Sequence, residues 1–85
     1  MRNPLIQRSI LKVLSRLEGI FLHEETLAAE VEIAISRPLK STEFADELTE
    51  LKRLECVEKD DAILGETMWK ITGKGLAALQ EGMRK

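Results

Sequence analysis

The chain has 85 residues, 44% hydrophobic and 33% charged, with a net charge of −2, a composition that fits one small globular domain over residues 1–85 and excludes a disordered polymer. A domain of this size buries only about 60% of the surface its unfolded chain exposes, which leaves little volume for a deep catalytic cavity. No apolar run approaches the roughly 18 residues needed to span a bilayer and no signal-peptide pattern opens the chain, so a soluble cytoplasmic protein is expected.

Asn3 before Pro4 is a capping residue followed by proline at a first helical position, where the missing N–H costs nothing. From there Leu5, Ile6, Ile10, Val13, Leu14 and Leu17 recur at spacings of three and four, which predicts a helix with a buried stripe ending near Gly19. Arg8, Lys12 and Arg16 form a basic ridge on another face of it. Ile20-Phe21-Leu22 reads as a short strand or extended linker. A second helix is expected from about His23 or Glu24 to Ile35, although the β-branched Val31, Ile33 and Ile35 alternate as a strand would.

Pro38 marks a turn over Ser36 to Lys40, with Ser41 or Thr42 as cap of a third helix that runs to about Leu54. Its expected buried side is Phe44, Ala45, Leu48, Leu51 and Leu54, leaving Thr42, Glu43, Asp46, Glu47, Thr49, Glu50 and Arg53 outward. Val57 to Lys59 and Met68 to Ile71 read as antiparallel strands joined through Asp60, Asp61 and Gly65, with Ile63 and Leu64 in the connection or extending a strand. Thr72 caps a last helix carrying Leu76, Ala77, Leu79 and Met83, and Gly73 and Gly75 in its first turn permit close approach to the sheet. The fold class is mainly α with a small antiparallel sheet, in the order helix, strand, helix, helix, strand, strand, helix.

The run Leu48-Thr49-Glu50-Leu51-Lys52-Arg53-Leu54-Glu55-Cys56-Val57, followed by Trp69-Lys70-Ile71-Thr72-Gly73-Lys74-Gly75, resembles a winged helix-turn-helix, in which a recognition helix leads into an apolar strand and a wing strand ends in T-x-x-G. In this respect the chain is similar to the MarR, PadR and ArsR-type bacterial regulators. The resemblance implies that the third helix is a recognition helix for double-stranded DNA, that the hairpin around Asp60 to Thr67 is the wing, and that the first or last helix makes a homodimer contact. These residues are mostly core and turn positions, so they specify a fold more than a function.

Charge complicates that function. Residues 17 to 66 hold fourteen acids against five bases, a net −9, between basic ends of +4 and +3. Ser41 to Glu55 alone holds Glu43, Asp46, Glu47, Glu50 and Glu55 against Lys52 and Arg53, where a DNA-reading helix presents cations to phosphates. The candidate nucleic-acid contacts are therefore Arg37, Lys40, Thr42, Lys52, Arg53 and Lys59, with Lys70, Lys74 and the Arg8-Lys12-Arg16 ridge as further phosphate partners if the fold assembles them. The alternative is a winged helix that does not bind DNA and serves as a protein-interaction module, with the acidic face of the third helix meeting a basic partner or the apolar first and last helices forming a homodimer.

Other chemistry finds little support. His23 beside Glu24 and Glu25 lacks a second histidine or cysteine cluster to complete a metal site, and acids at a helix start favour the helix dipole. Gly73-Lys74-Gly75 is too short for a phosphate loop, and Asp60-Asp61 reads as turn-forming acids rather than a catalytic pair. The lone Cys56 fits a small buried hydrophobe at a strand start, and Trp69 a closure of the core. The sequence thus points to no catalytic residue, no metal and no cofactor.

Overall fold

A computed structural model describes residues 3–17, 19–61 and 67–83. Asn3 opens it as expected: its side-chain oxygen accepts from the N–H groups of Leu5 (3.1 Å) and Ile6 (3.4 Å), and Pro4 starts helix α1, Pro4–Ser15. Contacts with three other helices and a strand give α1 a burial arc wider than a stripe. It takes in Leu11 as well as Ile6, Ile10, Val13 and Leu14, while Leu5 (55% exposed) and Leu17, expected inside, lie outside.

The short strand β1 is Leu22–His23, later by two residues than its apolar run, so Ile20 stays exposed and Phe21 half-buried. Helix α2, Glu24–Ile35, follows directly. Its strand-like alternation is overridden by packing: Leu27 and Val31 are fully buried, while Ile33 is 73% exposed. Ser36 then takes a left-handed conformation (φ 59°), and the N–H groups of Ser36 and Arg37 return to the carbonyls of Ile33 and Glu32 at 3.3 Å, which closes the helix ahead of Pro38. Glu32 ties down the following turn by accepting from the Leu39 N–H at 2.7 Å.

Helix α3, Ser41–Arg53, is preceded by Lys40 at the N-cap with no side-chain cap bond, so neither Ser41 nor Thr42 has the capping role expected of it. Its buried residues are Phe44, Glu47, Leu48 and Leu51. Ala45 and Leu54 are exposed, and Glu47, expected outside, is 1% exposed. Glu55 ends the helix in a left-handed conformation (φ 63°), with the Glu55 N–H on the Lys52 carbonyl and the Cys56 N–H on the Leu51 carbonyl, both at 2.9 Å.

Strands β2, Val57–Asp61, and β3, Thr67–Ile71, form an antiparallel hairpin whose register pairs Val57 with Ile71 and Asp61 with Thr67. Both are longer than the apolar residues alone predict, because backbone pairing carries the charged Asp60 and Asp61 into the ladder. Ile63, Leu64 and Gly65, expected in the connection, lie outside the described residues. β1 pairs with the other edge of β3, giving the order β1-β3-β2. Trp69 and Ile71 face the helices, and the Trp69 indole N–H donates to Glu24 Oε1 at 2.9 Å, so the tryptophan closes the core with its polar edge satisfied.

Helix α4, Gly73–Met83, starts at a crowded junction. The Thr72 hydroxyl donates to the Glu55 carbonyl (2.7 Å) and accepts from the Gly75 N–H (3.0 Å), and the Thr72 N–H donates to the Cys56 carbonyl (3.1 Å). A Cβ on Gly75 would collide with that Cys56 carbonyl oxygen and stand 2.8 Å from Ile71 Cγ1. Among the described residues no helix is long and apolar enough to cross a membrane.

The crowding decides the sign of a substitution. Alanine is normally preferred to glycine in a helix by about 1 kcal/mol, but at Gly75 the obstacle is backbone and cannot rotate away. Gly75→Ala is expected to lose about 1–3 kcal/mol of stability in urea unfolding. Ser36→Gly is expected to gain roughly 0.5–1 kcal/mol by relieving a left-handed non-glycine residue.

Candidate nucleic-acid interface

The geometry of α3 starts from what it buries. Phe44, Glu47, Leu48 and Leu51 turn one side inward, and by the roughly 100° step per residue of an α-helix the opposite direction is occupied by Thr42, Asp46, Thr49 and Arg53, each within about 30° of it. Ala45 and Lys52 flank this stripe, and all six residues are exposed.

The buried carboxyl group of Glu47 accepts from Gln7 Nε2 on α1 at 2.9 Å. It is the one charged residue type in the described core, and no buried side-chain nitrogen or oxygen there lacks a hydrogen-bond partner. Two further acids of α3 are paired locally. Arg37, in the turn, holds both carboxylate oxygens of Glu43 at 3.1 and 3.2 Å. Arg53 holds both oxygens of Glu50 at 2.6 and 3.1 Å. The hydrogen bond from Arg37 lowers the pKa of Glu43 and raises that of Arg37, and the hydrogen bond from Glu50 raises that of Arg53. For Glu43 the sign is that of a depressed acid: the pair is intact at neutral pH and is lost as pH falls through the lowered pKa. Both pairs are exposed to solvent, so they set side-chain geometry more than stability.

Asp46 alone among the four acids of α3 has no partner among the described residues. The acidity counted along the sequence is therefore mostly turned inward or compensated, and the outward stripe carries one acid against Lys52 and Arg53. The burial of Glu47 had one signal in the sequence, its spacing of three from Phe44 and four from Leu51, which fits the inward face although its charge argues for the outward one.

The candidate residues fall into two groups. Arg37, Lys40 and Thr42 lie at the N-terminal end of α3. Lys52 and Arg53 lie at its other end, and a groove of about 700 Å3 brings Lys52 together with Lys59, Lys74, Thr72 and the acids Glu55, Glu58 and Asp60. Lys74 is 3.8 Å from Glu55, and Lys70 is 3.2 Å from Glu58 with its ammonium 4.9 Å from the Phe21 ring centroid. The Arg8-Lys12-Arg16 ridge is not brought onto the stripe, because α1 packs against the inward side of α3, where Arg8 borders a cleft with Leu51, Leu54 and Leu79. Burial raises the Cys56 thiol pKa despite the nearby Lys74, and the thiol sits 3.8 Å from the Leu54 carbonyl, as an inert core cysteine. Among the described residues no group of three or more His, Cys, Asp or Glu side chains could hold a metal.

Neither a protein-family model nor a curated protein sequence matches the chain. Solved structures do. F93 from STIV, a winged-helix DNA-binding protein, superposes with a TM-score of 0.82 over 99% of this chain and 89% of its own, at 19% identity. This chain folds as a winged helix. H. salinarum RosR matches with a TM-score of 0.80 over 93% of this chain and 69% of its own, at 19% identity. A PadR-like transcription factor from Bacteroides fragilis matches at 0.75 over 94% and 78%, at 18% identity. Identities this low speak for the fold alone. In winged-helix terms α2 and α3 are the helix-turn-helix, and β2 and β3 are the arms of the wing.

Removing one member of the buried pair distinguishes it from the exposed ones. Gln7→Ala leaves a buried carboxyl group without its donor and is expected to cost about 1.5–3 kcal/mol in urea unfolding. Glu43→Ala, which removes an exposed bridge, is expected to change stability little.

Proposed function

We propose that this winged helix is a small DNA-binding, transcription-regulator-like protein without catalytic activity, and that α3 is the helix that enters the major groove. The observation that carries the reading is the layout of the outward stripe of α3. Cations stand at its two ends, Arg37 and Lys40 at one and Lys52, Arg53 and Lys59 at the other, with the small residues Thr42, Ala45 and Thr49 between them. Lys40 and Lys52 are separated by roughly 18 Å of helix axis, and the major groove is about 12 Å wide, so cations at the ends suit the phosphate walls while the middle suits the base edges. The pairing of Glu43 with Arg37 and of Glu50 with Arg53, and the burial of Glu47, leave Asp46 as the acid on the outward stripe, while the two arginines are shared between their carboxylates and the phosphates proposed for them. DNA binding by F93, stated for that protein, lends it weight by likeness of fold.

In this proposal Arg37, Lys40, Lys52, Arg53 and Lys59 contact phosphates, and Thr42 contacts a phosphate or groove edge at the start of α3. Fluorescence anisotropy with a mixed-sequence duplex at low salt tests it. Saturable micromolar binding is expected, and a slope of about −0.9 per phosphate contact means that four contacts lose about a hundredfold in affinity over a fourfold rise in salt. Lys40→Glu with Lys52→Glu is expected to abolish binding, and Glu43→Gln to strengthen it severalfold by releasing the Arg37 guanidinium. Absence of binding at low salt would overturn the proposal and favour a protein-interaction module.

A further inference from the structure

The sequence counts Asp46 as one more acid opposing DNA, but its position gives it a different character. It lies on the outward stripe between Thr42, four residues before it, and Thr49, three residues after it, and it is exposed. Glu43, Glu47 and Glu50 each accept from a donor on this chain, whereas Asp46 accepts from none among the described residues. Its two carboxylate oxygens are therefore left as acceptors, with no donor capacity of their own. In the major groove the base edges that present donors are the N4 amino group of cytosine and the N6 amino group of adenine, and adenine sets its acceptor N7 next to that donor. Two adjacent acceptors fit cytosine and are repelled by N7 of adenine and by N7 and O6 of guanine.

We propose that Asp46 is the base-reading, specificity-determining residue of α3, and that it selects a cytosine in duplex DNA by accepting a hydrogen bond from its N4 amino group. This inference rests on the reading of α3 as the DNA-entering helix. Asp46 weakens binding to every site through its charge and recovers that loss only where a cytosine donor faces it. The neighbouring Ala45 methyl provides an apolar surface suited to a thymine methyl group.

The test is selection from a random duplex library by the full chain and by its Asp46→Asn, Asp46→Ala and Lys40→Ala variants, followed by anisotropy on the selected duplex and its single-base changes. Asp46 and Lys40 are exposed and Asp46 has no partner among the described residues, so all four proteins should fold alike, which urea unfolding verifies. The wild-type motif is expected to hold a cytosine whose replacement weakens binding by about 5-fold to about 150-fold. Asp46→Asn should shift that one position to adenine, because an amide offers a donor to N7 beside its acceptor for N6. Asp46→Ala should level the preference there while raising affinity for unselected DNA, and Lys40→Ala should weaken binding to all sequences alike and leave the motif intact. An Asp46→Ala motif equal to the wild-type motif at every position would overturn the inference, as would salt-dependent wild-type binding that yields no motif. Failure of the wild type to bind any duplex would instead remove the DNA reading on which it rests.

Discussion

A helix laid against a core can rotate about its own axis until something fixes it, and for α3 the fixing group is the carboxyl of Glu47. Apolar residues on the inward face prefer burial but tolerate small rotations, since dispersion contacts have little direction. A hydrogen bond to a buried carboxyl does not: Gln7 of α1 must meet Glu47 at 2.9 Å or leave that carboxyl without its donor. One contact between residues 40 apart in sequence therefore decides which residues α3 presents to solvent. Thr42, Asp46, Thr49 and Arg53 face outward because Glu47 faces inward.

The same principle runs through the other acids. Glu24 accepts from the Trp69 indole, Glu32 from the Leu39 amide, Glu43 from Arg37 and Glu50 from Arg53. Each carboxylate holds a particular junction: sheet to α2, turn to α2, turn to α3, and the last turn of α3 to itself. Part of the acidic middle segment is thus engaged in holding the fold together. Net charge summed over a segment describes its long-range field, but the character of a surface depends on which charges remain unengaged.

Most elements were legible from local signals because each has a local cause. Asn3-Pro4 caps α1, apolar periodicity marks α3, and Thr72 caps α4, whereas in α2 packing overrides the strand-like alternation. Apart from the cap of α3, which falls on Lys40 and not on Ser41 or Thr42, the errors fall where the cause is tertiary. Leu54 and Ala45 follow the helical period yet lie exposed, and Glu47 was set outside on charge although its spacing matches the buried face. The ends of the strands depended on ladder pairing between Asp60, Asp61 and their partners, which composition alone argues against. The candidate cations were identifiable by type, but the engagement of Arg37 and Arg53 by specific carboxylates, and the meeting of Lys52 with Lys59 across a groove, required the fold.

The junction at the Cys56 peptide has a meaning beyond its hydrogen bonds. The end of α3, the end of β3 and the first turn of α4 converge on one carbonyl, which accepts from Thr72 and leaves no room for a side chain at residue 75. Two segments distant in sequence are thereby held in a fixed phase, so neither can gain or lose a residue without displacing the other. β2 and β3 are themselves paired from Val57 with Ile71 to Asp61 with Thr67, so the register of the hairpin is tied to the same junction. Among chains sharing this architecture, spacing near residues 55–57 and 72–75 should stay constant.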